Sequence, residues 1–218
     1  MDEVRLAEEA KLWYSNKIIQ DTLNAIKQNN ITAVFAENRD IAVEEIMKRI
    51  PAKATVTHGG SLTIRELGLI DRLSKGNYNY LRVKGKSSAS DSAEIRRAAF
   101  YADVYLTSVN AITRDGRLVA IDGYGNRTAA IMFGPSKVII VAGKNKIVDT
   151  LDDALKRIRD FVAPVHARRR NWNVPCTETG KCVNCKKTDR ICNKTMIIEY
   201  ERDQDRTTLV LVDEDLGI

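Results

Sequence analysis

No stretch of the sequence approaches the roughly 20 consecutive apolar residues that a membrane-crossing helix needs, so no span is expected. The opening Met1-Asp2-Glu3-Val4 lacks the basic-then-apolar pattern of a secretory signal, which makes the cytoplasm the expected location. Neither internal repeats nor low-complexity tracts occur, and the composition excludes a disordered tail or a collagen-like fibre. Four cysteines in 218 residues are too few for a small disulfide-stapled scaffold. There is no Walker A lysine motif, and no Ser-His-Asp or Cys-His pattern that would announce nucleophilic catalysis.

What remains is the composition of a globular chain, 44% hydrophobic and 29% charged, long enough for one sizeable domain with a small appendage. The net charge of +6 is local rather than spread. Between Lys156 and Lys194 eleven basic residues face three acids, a balance of +8, and the rest of the chain sums to −2. Aromatic residues are thin there, Phe161 and Trp172 alone, which argues against nucleic acid; an anionic cluster, substrate or protein partner fits the segment equally well.

Hydrophobic periodicity predicts one long amphipathic helix from Asp2 to about Gln28, an outer arm packed on the domain or on a second subunit of a homo-oligomer. Beyond it, short β-branched runs alternate with helical patterns: strands at 31–35, 55–57, 78–83, 103–108 and 137–142, and helices at 39–50, 61–73, 91–101, 126–133 and 149–162. Asp91 with Glu94 has capping-box spacing, Asn126 can cap its helix, and Arg114-Asp115-Gly116 reads as a hairpin turn with a return strand at 117–121. Such alternation argues for a mainly parallel sheet with helices on both faces. Pro164 marks an expected boundary. The chain thus divides into an arm (1–29), an α/β core (30–163), a basic cysteine segment (164–194) and two strands that rejoin the core (195–218).

All four cysteines fall within that basic segment: Cys176, Cys182, Cys185 and Cys192, spaced C-x5-C-x2-C-x6-C. Clustered thiols around a CxxC in a cytosolic chain point to a metal site rather than disulfides. Four thiolates accept zinc or an iron–sulfur cluster, and the [4Fe–4S] assignment is preferred over zinc. The surrounding positive charge would stabilise the thiolates. His166, ten residues before Cys176, is too distant in sequence to compete as a ligand.

Three glycine-rich loops follow predicted strands. His58-Gly59-Gly60-Ser61 precedes a helix, Asn110 opens the hairpin, and Asp122-Gly123-Tyr124-Gly125-Asn126-Arg127 joins the return strand to the next helix. Strand-end loops of an open α/β sheet converge on one crevice, where backbone amides can cradle an anion. Gly59, Gly60, Ser61, Asn110, Gly123, Gly125, Asn126, Arg127 and Lys144 are the candidate ligand-binding residues. Asp122 and Glu66 are the candidate acid–base pair. The expected ligand is a small carboxylate or a phosphorylated compound. His58 reads as an ordinary strand-end histidine.

Taken in order, Gly60-Ser61-Leu62-Thr63 with Glu66, Asn110 to Gly116, Asp122 to Arg127, Phe133-Gly134-Pro135, Gly143 to Val148, the cysteine segment and Leu216-Gly217 resemble the LUD-domain family, which includes lactate-utilisation proteins. The resemblance spans Gly60 to Ile218. It implies a Rossmann-like fold of the NagB/RpiA/CoA-transferase type and a part in oxidising L-lactate to pyruvate beside iron–sulfur redox subunits. Asn110 stands where isomerases of that fold group commonly carry an acid. The chain also lacks the repeated CxxCxxC runs of the larger partner subunit. A sugar-phosphate isomerase or lyase using Asp122 and Glu66, and a non-catalytic regulatory or RNA-binding subunit, are the alternatives.

Overall fold

The structure is a computed structural model and describes residues 2–82 and 89–218. Its elements run α1 (Glu3–Gln28), β1 (Thr32–Ala36), α2 (Arg39–Lys48), β2 (Thr55–His58), α3 (Leu62–Glu66), α4 (Leu69–Lys75), β3 (Asn79–Tyr80) and α5 (Ala89–Ala98). Then come β4 (Val104–Thr107), β5 (Ala111–Thr113), β6 (Leu118–Asp122), α6 (Asn126–Met132), β7 (Lys137–Gly143), β8 (Ile147–Val148) and α7 (Leu151–Arg157). The chain closes with α8 (Ala163–Arg169), α9 (Cys176–Thr179), β9 (Lys194–Ile198) and β10 (Thr207–Val212).

Six strands form an entirely parallel sheet in the order β1-β10-β7-β4-β2-β3. Its central strands are apolar on both faces, as a sheet covered by helices on each side requires. Along β7, Val138, Ile140 and Ala142 enter one core with Ile19, Leu23 and Ile26 of α1. Ile139 and Val141 enter the opposite core with Val43 and Ile46 of α2 and Leu69 and Leu73 of α4. A second, four-stranded sheet, β8-β5-β6-β9, is built on the β5–β6 hairpin and carries its own small core with Ala154 and Ile158. The α/β architecture read from the sequence is the one observed.

Several local expectations change. The helix expected through 61–73 is two helices, parted by Gly68 in the left-handed conformation. α6 is capped not by Asn126 but by Gly125, whose φ is 87°. α5 begins at Ala89, two residues before the expected cap; the side chain of Asp91 and the strand end at Val83 lie outside the described residues. Pro164 does not break the chain: a π-helical turn, Ile158–Val162, precedes it, and the helix runs on to Arg169. Inside this continuous helix Pro164 offers no N–H to the preceding turn, and the π-helical turn before it is where the lost bond and the ring are accommodated. The two last strands separate, with β10 inserting between β1 and β7 while β9 pairs with β6.

α1 is buried along its second half only, through Ile19, Thr22, Leu23 and Ile26, whereas Leu12, Trp13 and Tyr14 are exposed. Ile26→Ala, at a fully buried position, is expected to lower unfolding free energy by about 2–5 kcal/mol. Trp13→Ala, at a position 66% exposed, is expected to stay within about 0.5 kcal/mol. Denaturant titration of dilute protein checks both, and a Trp13→Ala loss that grows with protein concentration would show that a second copy covers the arm.

Candidate functional site

The loops beyond β2, β4 and β6, together with the turn after β7, enclose a cavity of about 780 Å³. Its position at the carboxyl ends of parallel strands is where open α/β sheets bind ligands. Gly59 extends the ladder by donating its N–H to the Leu106 carbonyl at 3.0 Å. A Cβ there would stand 2.8 Å from the Tyr105 hydroxyl and 3.1 Å from Thr107 Oγ1, so glycine lets this loop lie close against β4. Ser61 caps α3, its Oγ accepting from the Ile64 N–H at 3.3 Å. Tyr105 is buried, and burial raises the pKa of its phenol well above the ordinary value.

Arg127 organises the floor. Its Nε and Nη2 lie 2.9 Å from Asp122 Oδ1, its Nη1 donates to the Ser108 carbonyl at 3.1 Å, and its Nη2 donates to Asn110 Oδ1 at 2.9 Å and to the Ile121 carbonyl at 2.7 Å. Asp122 Oδ2 accepts the backbone N–H of Thr128 at 2.9 Å, and so supplies the cap that Gly125 cannot. Asn110 Oδ1 accepts the Ile121 N–H at 2.9 Å as well. These three candidates therefore act first on one another, tying two strand-end loops together.

The deepest cation was not among the candidates. Lys146, two residues beyond Lys144, is 2% exposed and lines the cavity. Its Nζ donates to Thr63 Oγ1 at 3.0 Å and Ser108 Oγ at 2.8 Å, and among the described residues no carboxylate pairs with it. Burial, and then the neighbouring Arg157 and Arg127, push its pKa down to about 7. Lys144 instead reaches Asp213 at 2.8 Å, outside the cavity. Glu66 also lies outside the lining, where its carboxylate accepts the Gly217 N–H at 2.6 Å. Gly60, Ser61, Gly123 and Asn126 line the cavity with Asn110, Asp122 and Arg127, whereas Gly125 does not. No sequence signal separated Lys146 from Lys144, because the short 3-10 turn that aims one inward and the other outward is a tertiary matter.

The charge of the cavity is lopsided. Arg65, Arg82, Arg96 and Arg170 stand at its exposed rim, and Arg127, Arg190 and Lys146 lie deeper, against Asp122 and Asp189 among the described residues. Two histidines also line it. His58 Nδ1 donates to the Gly59 carbonyl at 2.7 Å, its ring stacks on Tyr80, and burial lowers its pKa. His166 packs edge-on against Trp172, and burial, then Arg169 and Arg170, depress its pKa to about 4.

The cysteine segment forms one wall of this same cavity through Thr188, Asp189, Arg190, Ile191 and Asn193. All four thiols are partly buried. Burial, and then the nearby Cys185, Cys192 and Cys182, raise the pKa of Cys176, so the four share one neighbourhood. Arg190 donates to the Cys192 carbonyl at 3.0 Å and approaches Cys192 Sγ at 3.3 Å, while its Nε is buried without a partner. A guanidinium held against a cysteine sulfur suits a thiolate donor set. Among the described residues, however, no three His, Cys, Asp or Glu side chains converge closely enough to hold a metal ion.

A parallel α/β sheet with its crevice at the strand ends defines an open, Rossmann-like α/β protein. The LUD domain profile matches residues 19–212, and the chain belongs to that family. The fold is similar to the crystal structure of a DUF162 family protein from Deinococcus radiodurans, with a TM-score of 0.53 at 13% identity, covering 91% of this chain and 97% of that one. Looser matches are ribose 5-phosphate isomerase from Plasmodium falciparum (TM-score 0.34, 16% identity, 51% and 52% covered) and eIF2B delta from Chaetomium thermophilum (0.36, 16%, 69% and 58%). A comparison with curated proteins yields no match. Among the described residues no helix is long and apolar enough to cross a membrane.

The depressed pKa of Lys146 fixes a pH dependence. Below about pH 7 both folded and unfolded chains carry its proton; between 7 and the ordinary 10.5 only the unfolded chain does, so stability climbs with pH across that window. Unfolding free energy measured from pH 7 to pH 10 is expected to rise relative to a Lys146→Met variant, and parallel curves for the two would refute the burial of this charge.

Proposed function

We propose that the crevice binds a small organic anion, a carboxylate or a phosphorylated compound, and that this LUD-domain protein serves the oxidation of L-lactate to pyruvate beside iron–sulfur redox subunits. One observation carries the anion reading: seven cationic side chains line the cavity, and the most buried of them, Lys146, has no carboxylate partner among the described residues. An anion entering there supplies the missing counter-charge in a setting where water cannot. Cys176, Cys182, Cys185 and Cys192 share one neighbourhood but do not converge to metal-binding distance in this structure, so they would hold a [4Fe–4S] cluster only by closing further around it; such a cluster would supply one-electron transfer. Arg190, against Cys192, offsets the negative charge of such a site.

The isomerase or lyase alternative is less well supported. Asp122 already serves Arg127 and Thr128, and Glu66 is turned to Gly217 outside the cavity lining. Within the basic segment Arg157 is spent on the Asn110 and Asn145 carbonyls, while Arg170 and Arg190 belong to the cavity. That distribution favours a small ligand over a nucleic-acid strand.

Calorimetry with pyruvate and with inorganic phosphate tests the site. Binding that Lys146→Met weakens about tenfold or more is expected, since a charge-assisted hydrogen bond contributes about 1.5–3 kcal/mol; no heat with either probe would sink the reading. Protein purified without oxygen is expected to carry about four iron and four acid-labile sulfide per chain, with a broad visible absorption that Cys185→Ser removes. One zinc and no sulfide would make the segment a structural clamp instead.

A further inference from the structure

Anion binding alone leaves unexplained why the floor of the crevice works against the charge of its own lysine. Lys146 Nζ sits between two hydroxyls, Thr63 Oγ1 at 3.0 Å and Ser108 Oγ at 2.8 Å, and all three residues line the cavity. Arg127 and Arg157 are close enough to oppose its positive charge, and Glu66, the acid that favours it, is a weaker influence than either. A desolvated lysine beside other cations keeps its lone pair, which is how an amine becomes a nucleophile near neutrality. With its pKa at about 7, roughly half of the amine is uncharged at neutral pH.

We propose that Lys146 is a covalent anchor for a 2-oxo acid, its ε-amine forming an imine with the keto carbon at the floor of the crevice. The inference rests on the anion-site reading and names the ligand class: a carbonyl for the amine, with an adjacent carboxylate for the surrounding cations. In the step, the lone pair on Nζ attacks the keto carbon and a C–N bond forms. The carbonyl oxygen takes one of the two amine protons and one proton from solvent, and departs as water. The remaining proton stays on nitrogen, giving the protonated imine with no change of oxidation state. The Ser108 and Thr63 hydroxyls touch the nitrogen and are placed to relay the protons. The positive imine keeps a cation in contact with the ligand's carboxylate, so the site gains the covalent bond without losing its charge match.

Trapping tests this directly. The full chain is incubated with pyruvate and cyanoborohydride, which delivers hydride to an imine carbon, and its peptides are mapped by mass. One reduced pyruvate per chain on the Lys146 peptide is expected, forming faster as pH rises through about 7. L-Lactate, which has the carboxylate but no carbonyl, is expected to slow the trapping. Lys146→Arg, which keeps a cation and removes the nucleophile, is expected to abolish it; if that variant fails to fold, the peptide map of the natural protein decides alone. Pyruvate binding by calorimetry with no adduct, or with the adduct on another lysine, overturns the covalent anchor and leaves the anion site standing. Absence of both pyruvate binding and adduct overturns the covalent anchor, and the anion site falls with it if inorganic phosphate gives no heat either.

Discussion

The guanidinium of Arg127 gives hydrogen bonds to Asp122, Asn110 and the carbonyls of Ser108 and Ile121, and the shape of the crevice follows from that convergence. Ser108 follows directly after β4 of the large sheet, and Ile121 lies near the end of β6 in the small one. Their strand-end carbonyls need donors, because the ladder stops there and water is largely excluded. One planar group with five N–H donors satisfies several of them at once, which a lysine at that position could not do. Asp122 balances the charge and also caps α6, so the strand, loop and helix that frame the floor are set by one ion pair.

Around this neutralised pair the rest of the lining sets six cations against Asp189 among the described residues. Among the described residues no carboxylate pairs with Lys146, which lies under the same loops, and Arg157 and Arg127 add to the positive field around it. Burying a lone ammonium opposes folding, and the chain tolerates it where two hydroxyls hold the nitrogen and the proton is easily shed. An anion at this position would offset that charge, which is the physical basis of the proposed binding site.

The cysteine segment is part of the same construction. Its return to the core runs through Asn193, whose N–H reaches the Asp122 carbonyl at 3.0 Å, and through Lys194, which pairs with Asp122 at the start of β9. Arg190 faces the cavity on one side and Cys192 on the other. Ordering of the thiols and shaping of the crevice wall therefore involve the same few residues.

Hydrophobic alternation and turn residues alone determined the fold class. Val138 to Ala142 and Leu209 to Val212 are apolar at every position, which only a strand buried on both faces needs, and the β5–β6 hairpin is written in Arg114-Asp115-Gly116. The glycine loops were legible as strand-end junctions, and Asn110, Asp122 and Arg127 were legible as polar residues of one crevice. Their roles were not, because a sequence carries residue types and spacing but not which donor meets which acceptor. Tertiary structure alone decided that Asp122 is spent on Arg127 and Thr128, that Glu66 turns away to Gly217, and that Lys146 rather than Lys144 points inward. Each depends on groups far apart in the chain: Thr63, Ser108 and Lys146 become neighbours only when parallel strands align their carboxyl ends. The same holds for the split of β9 and β10 between two sheets: both segments read as strands, but which strand accepts each is set only when the sheets assemble.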